Sequence, residues 1–255
     1  MNQFGCLLVA MLMVVSATAQ NPHEYYPQRP IVGDTVTFQY QPEYTLLKGL
    51  SPVTGVIYFY RNDEWEKHDL SLHLTDTGYI SRIYLPEGTA LIVPVLSAGG
   101  KTDRGGKFTY AILCSTKNGQ VVSTSSAAWG ALRTPLLINK GLVPKIAEDS
   151  AYIKPEVSRM WMKSEIEHHP ESRRRIFYYA MAILQEVDSA RFATSLPVEA
   201  NYICSLPDVT EKEMRMVSKA YRELAGDNAK AEAVDQLILT RFPNGTKAQH
   251  KEAAN

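Results

Sequence analysis

Between Pro30 and Val122, apolar and polar residues alternate in short runs separated by turn signals, the period of two expected of half-buried strands. Val36, Phe38 and Tyr40 share one face of the run Val36–Tyr40. Val56–Tyr60 is continuously apolar, β-branched and aromatic, as in a central strand. Tyr79–Tyr84 and Ala90–Leu96 continue the pattern, and Pro94 places the second of these at an edge or a bulge. Phe108–Cys114 and Val121-Val122 read as a hairpin closed through Asn118-Gly119 in a type I′ turn, because both residues accept positive φ. Seven or so short strands over about 100 residues predict an immunoglobulin-like β-sandwich spanning 20–125. It lacks the cysteine pair of antibody domains, since only Cys114 lies in this half.

After Thr124 the period lengthens to about 3.6. Val157, Met160 and Trp161 begin one apolar stripe, with Pro155 in the first turn, and Ile176, Ala180, Ile183, Leu184 and Val187 form another. Thr210-Glu211-Lys212-Glu213 has the form of a capping box, followed by Val217, Ala220, Tyr221 and Leu224 at helical spacing. Gly226-Asp227-Asn228 turns the chain, Ala231, Val234, Leu237, Ile238 and Phe242 line a last helix, and Pro243-Asn244-Gly245 stops it. These signals predict two antiparallel helix pairs, about 153–187 and 210–242, joined by a loop through Pro197 and Pro207. The segment 127–137 is a first helix or a connector, with Trp129 buried at the junction. The helical part spans 126–245, and 246–255 is a polar tail.

Ahead of the strands, Phe4 to Val15 is apolar apart from Gly5 and Cys6, and Ser16-Ala17-Thr18-Ala19 offers the small residues that signal peptidase reads. Residues 1–19 are therefore expected to be a cleaved signal, which makes the product periplasmic or secreted. The apolar run is shorter than the roughly 20 residues that cross a bilayer, and no later segment reaches that length. Lysine plus arginine (27) equals aspartate plus glutamate (27), so no net charge draws the chain to nucleic acid.

Candidate chemistry is sparse. Cys114 and Cys204 are too far apart in sequence to resolve one another as a redox pair, and both are expected to be unpaired thiols. Glu165, His168 and His169 could present ligands from one helical face, but a polar helix end explains them, and neither a metal nor a cofactor is expected. The glycine-rich stretch Gly99–Lys107 leads into a strand rather than a helix, so it is no phosphate cradle; Lys101, Asp103, Arg104 and Lys107 remain as a contact loop for a partner. Arg173-Arg174-Arg175 reads as a solvated helix start. Nine of the 14 tyrosines lie in the strand half, where they fill a sandwich or, if exposed, stack on a glycan.

Pro170-Glu171-Ser172, Leu224-Ala225-Gly226-Asp227 and Arg241-Phe242-Pro243-Asn244-Gly245 resemble the corners of tetratricopeptide (TPR) hairpins, although the first helices lie about 55 residues apart where regular repeats keep about 34. An export signal, strands opening with Val32-Gly33-Asp34-Thr35-Val36-Thr37-Phe38, a strand ending in Phe59-Tyr60 before Trp65, and then these helices form a combination. It is similar to the N-terminal region of exported thioredoxin-like disulfide-reductase proteins of Gram-negative bacteria. In that family a thioredoxin domain with a Trp-Cys-x-x-Cys motif follows, whereas this sequence stops at Asn255, so the resemblance implies no catalytic residue here. The expectation is a non-catalytic interaction or scaffolding protein of the bacterial envelope. An accessory or truncated member of a thiol–disulfide system and a glycan-binding sandwich are the alternatives. With no following domain to cover the last helix, Leu237, Ile238 and Phe242 are expected to form an apolar surface for a second copy or another protein.

Overall fold

The computed structural model describes residues 21–247 and 249, so the expected signal peptide and most of the polar tail lie outside the described residues. The chain forms strands first and helices afterwards. A four-stranded antiparallel sheet contains β1 (His23–Tyr26), β2 (Thr35–Tyr40), β6 (Gly78–Tyr84) and β5 (His73–Thr75), in the order β1-β2-β6-β5. A second antiparallel sheet runs β4 (Glu64–Asp69), β3 (Thr54–Arg61), β7 (Thr89–Ala98), with β8 (Lys101–Asp103) and the two-residue β9 (Ile112–Leu113) both pairing with β7. The helices are α1 (Ser125–Leu132), α2 (Pro135–Asn139), α3 (Pro155–His168), α4 (Ser172–Arg175), α5 (Phe177–Val187), α6 (Ser189–Ser205), α7 (Glu211–Lys219) and α8 (Asn228–Arg241). None of the described helices is long and apolar enough to cross a membrane.

The period of two divides the second sheet between two cores. Ile57 and Phe59 of β3, with Ile92 and Leu96 of β7, meet Val36, Phe38 and Tyr40 of β2 across the space between the sheets. Tyr60, Leu91, Val93 and Val95 face the other way and pack with Ala127, Ala131, Ile183 and Val217 of the helices. The five-stranded sheet is thus the middle of three layers, and nine of the ten residues of β7 are buried. Pro94 lies where this costs least: β8 pairs with Leu96–Ala98 and β9 with Leu91-Ile92, leaving Val93–Val95 without a strand partner on that side.

Four sequence expectations are corrected. Phe108–Cys114 is not one strand: Gly105 and Gly106 have positive φ, a 3₁₀ turn covers Gly106–Phe108, and Thr109 sits at φ 57°, so only Ile112-Leu113 remains extended enough to pair. The Asn118-Gly119 turn is not type I′, because only Gly119 has positive φ. The Gly119 amide bonds to the Thr116 carbonyl and the Thr116 amide to that of Gln120, a type I turn closed by a glycine bulge. The stretch expected to be a loop through Pro197 contains the longest described helix, α6, which Asp188 caps by accepting from the Arg191 amide and which buries Phe192, Leu196, Ala200 and Ile203. Trp129 is only half-buried, with the Arg133 guanidinium 5.1 Å above its ring. The capping box at Thr210 forms with both of its hydrogen bonds.

Two buried carboxylates tie the layers together. Asp103 accepts hydrogen bonds from the hydroxyls of Tyr40 and Tyr110, each at 2.7 Å, and from the Gly105 amide at 3.0 Å. Tyr40 belongs to the first sheet and Asp103 to the second, so the carboxylate fastens one to the other. Glu165 of α3 accepts from the amides of Thr124 (2.6 Å), Ser126 (3.0 Å) and Ala127 (3.4 Å) and from the Ser172 hydroxyl (3.0 Å). It fills the N-terminus of α1, whose own cap residue, Thr124, makes no side-chain cap bond. The two helices cross closely at Gly130, where a Cβ would lie 2.7 Å from that of Trp161.

His23 packs its ring 4.7 Å from that of Tyr110 and 5.7 Å from that of Tyr25, with Nδ1 buried and lacking a partner among the described residues. Burial pushes its pKa below the ordinary value, against the opposing pull of Asp103. As pH falls below about 6.5 the unfolded histidine takes its proton first, while the folded one resists until a lower pH, so stability falls with pH in that window. His23→Phe is expected to flatten this part of a urea-midpoint profile between about pH 7.5 and 5; an unchanged slope would show that His23 does not titrate differently on folding.

Candidate functional site

Where the middle sheet turns away from the helices, a cleft of 860 Å³ opens. The β3–β4 hairpin builds one wall with Tyr58, Tyr60, Trp65 and Lys67, and α7 supplies Lys212, Met216 and Lys219 opposite. The loop Gly141–Pro144 closes one end, and Arg174, Arg175, Tyr178 and Tyr179 form the floor. The hairpin is sharp because Asn62 and Asp63 adopt φ of 50° and 63° between the paired residues Arg61 and Glu64, a two-residue turn of I′ type without glycine. Asparagine and aspartate tolerate that conformation better than other side-chain-bearing residues, and the turn delivers Asp63 into the cleft.

There Asp63 Oδ2 accepts from Arg175 Nε at 2.8 Å, while the other end of the guanidinium donates to Ser123 Oγ at 2.7 Å. Burial works against the Arg175 charge, yet Asp63, helped by Tyr60 and Glu171, more than offsets it, so the Arg175 pKa stands above its ordinary value. Arg174 pairs with Glu213 (3.1 Å) and Asp208 (2.9 Å), and Arg173 with Glu199 through two bonds. The triple arginine is therefore not a solvated helix start, as its neighbours in sequence suggested. Three separate parts of the chain supply its carboxylates, and Arg175 bridges strands to helices.

The remaining cations are also positioned. Lys212 donates to Glu64 (2.8 Å) and to the Asn62 carbonyl (3.1 Å), and Lys219 Nζ lies 5.0 Å over the Tyr178 ring. Tyr178 donates to Glu223 (2.7 Å) and Tyr179 to the Leu142 carbonyl (3.2 Å). Burial raises the Tyr179 hydroxyl to about 12 and that of Tyr60 well above its usual value, so neither ionises near neutrality. Two buried atoms make no hydrogen bond of good geometry among the described residues: Trp65 Nε1, a donor that nevertheless lies near the Tyr179 hydroxyl and pulls against the rise of its pKa, and Asp63 Oδ1, an acceptor. Buried polar atoms are rarely left so, and a ligand reaches these two only if the hairpin moves off the floor of the cleft.

The residues singled out from sequence are dispersed. Lys101 and Lys107 are exposed, but Asp103 is buried as the fastening between sheets and Arg104 lies 3.6 Å from Glu148, so the four do not form one contact loop. Ile238 is fully buried and leaves the expected partner surface; Leu237 is exposed and Phe242 half-buried. The last helix finds its cover in α7 and the π turn Ala220–Leu224 that continues it. Cys114 is buried, with its thiol pushed up to about 12, and Cys204 is half-buried and also raised by burial; neither pairs with another cysteine among the described residues. Glu165 turns inward to α1, while His168 Nδ1 lies 2.8 Å from the Ser164 carbonyl and His169 Nδ1 lies 3.7 Å from Glu171. No group of three such side chains that could hold a metal occurs among the described residues.

The cleft itself was not legible as a site. Trp65, Tyr58 and the arginines stand in the sequence as separate patterns, and only the pairing of β3 with β4 and the docking of α5 and α7 brings them together. No protein-family model, curated protein sequence or solved structure matches the chain.

Proposed function

We propose that the chain is an exported, non-catalytic interaction module of the bacterial envelope, and that it holds its partner in the cleft between the β3–β4 hairpin and α7. In this reading the two facing sheets are an immunoglobulin-like sandwich, and α7 with α8, turned at Gly226, is a TPR-like hairpin packed on it. The observation that carries the proposal is the cleft's composition: a wall of tyrosine and tryptophan with cations around it. Aromatic side chains with polar tips supply large contact area at low entropic cost, as recognition surfaces require. The thiol–disulfide alternative has less support, because Cys114 is buried and neither thiol has its pKa lowered toward thiolate.

Peptide and glycan arrays probed in parallel with the purified chain test this reading. Retained binding is expected, weakened about tenfold by Trp65→Phe, which keeps an aromatic ring but loses much of the contact area of the indole. Binding that survives both Trp65→Phe and Lys219→Glu would remove the cleft as the site, and hits confined to the glycan array would favour the sugar-binding alternative. Dithiothreitol-driven insulin reduction above the uncatalysed rate, lost in Cys204→Ser, would refute the non-catalytic assignment.

A further inference from the structure

The cleft does not end at α7. A second groove of 540 Å³ shares Glu64, Lys212, Met216 and Lys219 with it and runs on toward α8, past Arg215, Arg222 and Lys247. The spacing that builds it is helical: Lys212, Arg215 and Lys219 fall at i, i+3 and i+7 of α7, on one face. The chain then enters the π turn Ala220–Leu224, where the Ala225 amide bonds back five residues to the Ala220 carbonyl and Arg222 bonds across to Asp235 at 2.9 Å. Such one-turn widenings are frequent at functional sites. Together the two grooves are lined by eight basic and five acidic side chains, in a chain whose formal net charge is zero. Most of the cations have a carboxylate neighbour, but Arg215 is exposed and has none among the described residues.

We propose that the occupant of this continuous groove is an extended acidic segment of a partner protein, its apolar side chains in the tyrosine-lined cleft and its carboxylates over the α7 stripe. The inference rests on the reading of the cleft as a binding site and names what fills it. Charge complementarity selects an anionic occupant. Two features select a polypeptide over an anionic polysaccharide. The cleft adds Leu142, Val143, Pro144 and Met216 to its rings, an apolar lining suited to side chains. β4, which contributes Glu64, Trp65 and Lys67, is the last strand of its sheet and has no strand partner on its outer side among the described residues, so its main chain can pair with an added strand.

Fluorescence anisotropy with the full chain tests the proposal, using three labelled probes: a Glu/Asp-rich peptide with central Leu and Phe, the same peptide with lysine in place of each acid, and a sulfated oligosaccharide of similar charge. The acidic peptide is expected to bind best. Its affinity should fall about tenfold in Arg215→Glu, an exposed position whose change does not threaten the fold. Affinity should fall again when salt rises from about 0.1 M to about 1 M, which shortens the screening length from about 10 Å to about 3 Å. Equal binding of the lysine peptide, indifference to Arg215→Glu, or no peptide binding overturns the acidic-segment inference. Preferred binding of the oligosaccharide overturns it in favour of a polyanionic glycan. In all of these cases the array experiment with Trp65→Phe still decides independently whether the cleft is a binding site.

Discussion

Glu165→Ala is expected to lower the free energy of unfolding by about 3–5 kcal/mol, because it strands several donors at once in a buried place. The Thr124, Ser126 and Ala127 amides and the Ser172 hydroxyl all point at this carboxylate, which is 1% exposed. Each buried group left unpaired costs roughly 1–3 kcal/mol, and water entering the space left by the side chain recovers part of the sum. The negative charge at the start of α1 is lost as well. Urea titration should show a lower midpoint at nearly unchanged slope, and the melting temperature should drop by about 10 °C. Glu165→Gln keeps one acceptor oxygen but turns an amide donor toward other donors, so about half of the loss is expected to remain. A cost below about 1 kcal/mol for the alanine variant would mean that α1 is not held by this contact.

Asp103→Ala is expected to cost about 3 kcal/mol, and its diagnostic is non-additivity. Tyr110→Phe alone deletes one hydrogen bond to a charged acceptor and should cost about 1.5–3 kcal/mol, leaving Asp103 with two other donors. Once Asp103 is gone, the Tyr110 hydroxyl has lost its acceptor, and removing it should cost nothing more or restore some stability. Tyr40 is less dependent, because its hydroxyl also lies 2.8 Å from Thr45 Oγ1. Urea unfolding of the four proteins of the cycle measures the coupling, and costs that simply add would show that the hydroxyl and carboxylate do not act as a unit.

Periodicity carried the strand half far. Val36–Tyr40 and Tyr79–Tyr84 pair with each other in the structure, and Val56–Tyr60 pairs with Ala90–Leu96, as interior strands of two sheets. The starts of α3 at Pro155 and of α7 at Thr210 were legible because their signals are local: a proline in the first turn, and a cap with its reciprocal glutamate three residues on. What stayed hidden depends on distance along the chain. The cap of α1 comes from a residue 41 positions away, so no motif precedes that helix. The burial of Asp103 needs Tyr40, 63 positions back, without which a carboxylate among glycines looks like an exposed loop. Pro197 misled in the other direction, since prolines at 197 and 207 suggest a linker while Phe192, Leu196, Ala200 and Ile203 keep a helical stripe through the first of them. The cleft combines both difficulties: its arginines are adjacent in sequence, but Asp63, Asp208 and Glu213, which hold two of them, are not.

The double-sided burial of β7 limits how such a chain can be divided. Leu91, Val93 and Val95 would meet water if everything after Thr124 were removed, and the helices would lose the surface on which Ala127, Ala131 and Val217 rest. Each part therefore buries apolar surface against the other through one strand. A nick in the connecting segment is expected to leave the two fragments associated, because β7 packs with the helices across it. The apparent seam in the sequence, where the period changes, is for this reason a poor place to cut.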